Sequence, residues 1–232
     1  MSNTHDRASS HRIALRTAGV LFIAAAVVYV GTEAIAGAAF PGYSYAQNYI
    51  SDLGVPEVGP YDGRFLDSPL HAVMNAGFLA QGVLFLLATV VAARGLPARP
   101  AAPWVGLAAL HAVGITLVAF VHGGPQSAAS GFIVFHVIGA GLAIVCGNLA
   151  SIAGGVALGA RRFRAFSVGI AAVGLLCLVG LQLQPSLAGA DVPDGVWERG
   201  SVYAITAWEL AAGVVLITRG RAGRQPARDS AA

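Results

Sequence analysis

Four histidines, two lone carboxylates and a Ser-Asp pair are the reactive side chains of a chain that is otherwise apolar. Asp52, His71, His122 and His136 are the residue types of a zinc site that keeps one position for water. Ser51 or Glu33 would then do the acid–base work beside it. No two of these residues stand at H-x-x-x-H spacing, so no single helix turn assembles the set. A different chemistry asks less of geometry: Glu33, Asn48, Ser51, Asp52, His71, Asn75, His136, Arg199, Tyr203 and Glu209 could line a pocket that binds a ligand by hydrogen bonds. A third gives Glu33 and Glu209 the role of proton carriers within a membrane. The glycines are spaced for helix packing and form no phosphate loop, nucleophile elbow or dinucleotide fingerprint.

The elements that must position these groups follow from composition. Of 232 residues, 56% are hydrophobic and 11% charged, less than half the charge of an ordinary soluble domain, about 25%. Six windows are long and apolar enough to cross hydrocarbon as helices, near 17–40, 69–93, 101–122, 131–158, 165–184 and 200–218. They follow one another without a soluble insert, which predicts an all-α, single-domain, six-helix transmembrane bundle. Cys146 and Cys177 each sit in an apolar run, which excludes a disulfide scaffold and a thiolate cluster. There is no Lys, and twelve of the fourteen Arg fall in the N-terminal segment, after spans two and four, and in the tail 219–232. Seven of the acids fall in the alternate loops. The positive-inside rule then predicts a multi-pass protein of the cell membrane with both termini cytoplasmic. The basic charge is a topology signal, so no nucleic-acid partner is expected. One alternative treats the first span as a signal peptide cleaved after Ala34-Ile35-Ala36; it would leave five spans and conflict with a cytoplasmic C-terminus.

Depth sorts the polar groups. Glu33 lies seven residues before Phe40, roughly 10 Å in from the outer surface. Asp67, His71 and Asn75 share one face of span two, and His111 and His122 share one face of span three. His136 stands near the outer end of span four, and Gln182 and Gln184 close span five. Arg199, Tyr203, Thr206 and Glu209 form a stripe on span six. Intramembrane polarity is therefore in the outer half, with inner halves of Leu, Val, Ala and Gly. Either these groups line an outward-facing cavity, or they pair, Glu33 with Arg199 and Glu209 with His111. On span four, Gly139, Ala143, Gly147, Ser151, Gly155 and Gly159 repeat every four residues. Such a face lets helices approach closely, within the chain or across a homodimer seam, with the first favoured.

Between Pro41 and Ser68 the chain has a long outer loop in which Ser44 is expected to cap a short amphipathic helix carrying Tyr45, Tyr49, Ile50 and Leu53, stopped by Gly54 and Pro56. Its segment Asn48-Tyr49-Ile50-Ser51-Asp52-Leu53-Gly54 resembles the signature of the bacterial domain-of-unknown-function 998 family of membrane proteins. Asn75-Ala76-Gly77-Phe78 with Gly82, His136 after an outer loop, and Arg199-Gly200-Ser201-Val202-Tyr203 leading to Trp208 are similar to that family's later elements. The resemblance spans roughly residues 15–218. Where family members often carry a Phe-Pro-x-Asp-like turn, this chain has Phe120-Val121-His122-Gly123-Gly124-Pro125, so no role for that acid carries over. Ile50-Ser51-Asp52 with Gly54 is also similar to the damage-regulated autophagy modulator and related six-span lipid-remodelling proteins, which implies lipid handling. The expected function is binding or handling of an outer-leaflet lipid or small amphiphile in an outward-facing polar pocket. It is preferred narrowly over a membrane-embedded zinc hydrolase, a proton-coupled transporter and a structural membrane subunit.

Overall fold

A computed structural model of the chain describes residues 2–94, 96, 98–183 and 192–222. Six long helices dominate: α1 (Ser2–Ala39), α2 (His71–Ala93), α3 (Ala98–Phe120), α5 (Ile133–Leu158), α6 (Arg161–Leu183) and α7 (Asp194–Ala222), with a single short helix, α4 (Pro125–Ser130), between α3 and α5. Each long helix contains a segment long and apolar enough to cross a membrane, so the chain is a multi-pass membrane protein. Two boundaries differ from the sequence expectation. The first helix begins well before residue 17, and α7 begins at Asp194 rather than near 200, which places Arg199 inside a helix. His122 lies beyond the end of α3 instead of closing it.

The helices form a closed ring. Each long helix packs on its neighbour in sequence, and α7 returns to α1. The bundle has two ends: a terminal end, where α1 starts and α7 stops, and a hairpin end, where residues 40–70 fold over the ring. Toward the terminal end the ring is filled by aromatic rings. Phe22 meets Phe85 and Trp208 edge-on at 5.5 and 5.4 Å, and Trp104 meets Trp208 at 6.2 Å. The Trp208 indole N–H donates to Ser167 Oγ at 2.8 Å. The expectation that this half holds only small aliphatic residues is corrected here. Lipid tails are as apolar as any side chain, so close packing has to hold the helices together, and aromatic pairs supply about 0.5–1.5 kcal/mol each beyond their area.

The small-residue face of α5 is consumed inside the chain. Gly139 lies against Leu117 and the Gly114 carbonyl of α3, Gly147 against Ile205 and His111, and Gly155 against Ser167 of α6. Packing of these glycines inside the chain is the favoured of the two uses expected for that face. Gly159 leaves the stripe altogether; it ends α5 in the left-handed conformation at φ 78° with its N–H on the Val156 carbonyl.

The first long loop is not an amphipathic α-helix. It makes turns around residues 45–47, a 3₁₀ turn at Ser51–Gly54, and a hairpin of β1 (Gly59–Tyr61) with β2 (Arg64–Leu66). Side-chain oxygens compete with helix formation here. Ser44 Oγ takes the Gln47 N–H at 3.3 Å, Asn48 Oδ1 takes the Ser44 N–H at 3.0 Å, and Asp52 Oδ2 takes the Tyr49 N–H at 3.1 Å. The hairpin turns on Asp62-Gly63, both at positive φ (48° and 76°), the Asp-Gly chemistry of a tight two-residue turn. Tyr61 pairs with Arg64 across it.

Candidate functional site

Two polar assemblies stand at and below the hairpin end. The upper one is a knot centred on Arg199. Its Nε donates to Glu33 Oε1 at 3.0 Å, and Nη2 reaches the same carboxylate at 3.0 Å and the Tyr43 hydroxyl. Nη1 donates to the carbonyls of Tyr45, Asn48 and Gly195 at 2.6, 2.8 and 3.1 Å. All three nitrogens of the guanidinium are thus engaged within the protein. Glu33 accepts a further bond from the Tyr203 hydroxyl at 2.8 Å. The Glu33–Arg199 pairing expected from the sequence is present.

Asp52 anchors the other half of the knot. Its Oδ2 accepts from Asn48 Nδ2 at 3.1 Å, from the Tyr49 N–H and from Arg64 Nε at 3.0 Å. Burial pushes its carboxyl above the usual carboxylate range, against the pull of Arg64 and the two amide donors. The Arg64 guanidinium also lies 4.4 Å over the Tyr49 ring, while the Tyr49 hydroxyl donates to Asp194 at 2.8 Å. Burial and that carboxylate raise the Tyr49 hydroxyl above its usual value. Glu198 accepts the Ile50 N–H. Below the 3₁₀ turn, Asn75 Nδ2 donates to the Gly54 carbonyl at 2.9 Å and Ser68 Oγ to the Leu53 carbonyl at 2.7 Å. Gly54 has to be glycine because a Cβ would collide with the Asn75 amide. The 48–54 segment is therefore pinned to α2 and α7, and through Arg199 to α1.

The second assembly is a cavity of about 50 Å³ in the hairpin half of the ring. Its walls are apolar, from Phe78, Ile115, Val118, Ile144, Val202 and Ile205. Ser51 and Glu198 face it from the hairpin end, and Thr206, Gln81 and His111 line it deeper in the ring. Behind Gln81 lies Glu209, fully buried, whose Oε1 accepts from Gln81 Nε2 at 2.8 Å. The expected Glu209–His111 pair is corrected: Gln81 stands between them, 3.0 Å from His111 Nε2.

The remaining histidines hold backbone. His71 Nδ1 donates to the Ser68 carbonyl at 3.0 Å, and His136 Nδ1 to the Val121 carbonyl at 2.6 Å, with its ring against Gly123. Burial lowers the His122 imidazole below its usual value. Among the described residues no three His, Cys, Asp or Glu side chains are placed to hold a metal ion, so Asp52, His71, His122 and His136 do not assemble the expected zinc site. Of the expected pocket residues, Glu33, Asn48, Asp52, Asn75, Arg199 and Tyr203 join the knot, Ser51 the cavity wall, and Glu209 its floor. Gln182 is exposed near the end of α6, and Gln184, Asp191 and the tail from residue 223 lie outside the described residues.

The chain matches, over residues 12–215, the family described as protein of unknown function, DUF998. It belongs to that family. The match extends well beyond the Asn48–Gly54 segment that carried the resemblance, which in the structure forms part of the knot described above. No curated protein and no solved structure matches the chain. The family description carries no activity, so what this DUF998 chain does has to be argued from its geometry.

Sequence reasoning missed Gln81, the one amide in the apolar run of span two that lies off the His71–Asn75 face. It also passed over Arg64, Glu198 and Asp194 as loop charges. The Asp62-Gly63 dipeptide was the available signal for the hairpin that delivers Arg64.

Proposed function

We propose that the protein sits in the cell membrane with both termini in the cytoplasm and binds the apolar chain of an outer-leaflet lipid or small amphiphile. The observation that carries this reading is the cavity: apolar walls contributed by α2, α3, α5 and α7, with hydrogen-bonding groups at top and bottom. That is the usual construction of a small-molecule pocket. The orientation is supported by the Arg bias toward the terminal end, which turns the cavity toward the outer leaflet. The knot supports the same reading from the other side. By pairing its own charges, it leaves Ser51 and Glu198 as the polar groups at the mouth.

The test is mass spectrometry of the purified full chain, compared with Ala140→Phe, which fills the cavity from α5 without touching the knot. A lipid or amphiphile should co-purify with the natural sequence and be lost, at least tenfold, from a variant that still elutes as a single species. Absence of any co-purifying molecule from the natural sequence, or equal retention by Ala140→Phe, would overturn the proposal.

A further inference from the structure

The floor of the cavity contains a hydrogen-bond chain whose donors can be counted. His111 Nδ1 lies 2.8 Å from the Ala143 carbonyl, and a carbonyl only accepts, so Nδ1 carries a hydrogen. His111 Nε2 lies 3.0 Å from Gln81 Oε1, which also only accepts. In this arrangement both ring nitrogens donate, His111 is an imidazolium, and its counter-charge is Glu209 on the far side of the Gln81 amide. The second Glu209 oxygen has no partner. An ionised carboxylate with one donor, fully buried at mid-membrane, is costly.

Turning the Gln81 amide over gives a second arrangement with the atoms in the same places. Gln81 Nε2 now donates to His111 Nε2, and Gln81 Oε1 accepts from a protonated Glu209. His111 is neutral and keeps its Nδ1–H on Ala143. Both arrangements hold the same number of protons, and every link has one donor and one acceptor. They differ only in where one proton lies and which way the amide faces.

We propose that His111, Gln81 and Glu209 form a proton-binding site at the floor of the cavity, holding one mobile proton that lies on His111 when the Gln81 oxygen faces the ring and on Glu209 when the amide is turned over. The step balances: a proton leaves His111 Nε2, a proton arrives at Glu209, Gln81 ends as the same amide rotated by half a turn, and the two opposite charges disappear together. The groups facing the site are few. The Phe85 ring lies 4.8 Å from the imidazole, α1 presents Tyr29, α7 presents Thr206 and, toward the mouth, Glu198, the 3₁₀ turn presents Ser51, and α5 presents only the Ala143 carbonyl with apolar side chains. Gln81 and His111 themselves line the cavity, and a polar floor in a cavity of this size admits water, which gives the proton a path to the hairpin end. This site does not depend on what the cavity binds.

The experiment uses the full chain in lipid nanodiscs. Nitrogen NMR of the His111 imidazole and infrared spectroscopy of the carboxylic-acid carbonyl stretch are followed across temperature at fixed pH, where the two arrangements exchange without gain or loss of a proton, and the His111 signal also across pH, for the natural sequence, Glu209→Gln and Gln81→Leu. A carboxylic-acid band should be present in the natural protein, shift in heavy water, and grow as the His111 imidazolium signal falls. In Glu209→Gln, the same shape without a titratable group, the band should vanish and His111 should become neutral. In Gln81→Leu the reciprocal change of band and imidazolium signal should be lost. The proposal is overturned if His111 has the same protonation state in the natural protein and Glu209→Gln at every pH. It is equally overturned if the natural protein, which needs no variant to fold, shows no buried carboxylic-acid band whose intensity opposes the imidazolium signal.

Discussion

Arg199 shows why a charged residue can stay inside this bundle without being a ligand site. It is buried against Glu33, and its three nitrogens meet one carboxylate, one hydroxyl and three backbone carbonyls. Removing one member of such a buried pair typically costs about 3–5 kcal/mol because the other charge is left uncompensated. Arg199→Gln is therefore expected to lower the unfolding free energy in micelles by that order. Arg199→Lys should recover only part of the loss, because an ammonium keeps the charge but has three donors and no planar fork. Unfolding of the three proteins by chemical denaturant measures it, and a Lys variant as stable as the natural protein would show that charge alone matters. Glu33 and Arg199 were legible in the sequence as a pair because both lie toward the outer ends of their spans and a buried carboxylate needs an opposite charge. The Tyr43, Tyr45 and Asn48 partners were not, since they come from a loop whose path depends on turns rather than periodicity.

Elements were legible where they were long and apolar. The six helices announce themselves through uninterrupted hydrophobic runs, whereas the 40–70 segment is governed by short-range competition that a pattern of apolar positions misreads. Tyr45, Tyr49, Ile50 and Leu53 have helical spacing, yet Asn48 and Asp52 take backbone N–H groups for themselves and Gly54 is held under Asn75. The small-residue face of α5 was visible too, but periodicity could not say which helix fills it. The structure answers with α3: a Cβ on Gly139 would meet Leu117 Cβ at 2.7 Å and the Gly114 carbonyl oxygen at 2.9 Å, so the two backbones approach more closely than any larger residue allows. Gly139→Leu is expected to force α3 and α5 apart, costing about 1–3 kcal/mol or more as overpacking does. Its thermal unfolding in micelles should fall accordingly, while Gly141→Leu, with open space around it, should leave the transition unchanged. Equal effects from both substitutions would mean that helix propensity, and not the crossing, is responsible.

At the scale of the whole molecule, the ring divides into an aromatic-filled half and a half that holds polar groups and empty space, and this division aligns with the charge distribution. Phe22, Phe85, Trp104 and Trp208 lie toward the end that carries Arg94, Arg99, Arg161, Arg162, Arg164, Arg219 and Arg221, while the cavity and the knot lie toward the end with Arg64, Arg199 and, among the described acids, Asp52, Glu57, Asp62, Asp67, Asp194 and Glu198. A bundle whose solid half faces the cytoplasm and whose cavity faces outward presents its binding space to the outer leaflet alone. That arrangement depends on orientation, which packing cannot fix because the bundle is equally well packed either way up. In a background with Cys146 and Cys177 replaced by Ser, Gln126→Cys on the exposed side of α4 and Arg161→Cys at the start of α6 are both exposed positions at opposite ends. A membrane-impermeant thiol reagent added to intact cells should label Gln126→Cys and leave Arg161→Cys unlabelled until the cells are opened. The reverse pattern would place the cavity on the cytoplasmic side, and the ligand would then have to come from the inner leaflet.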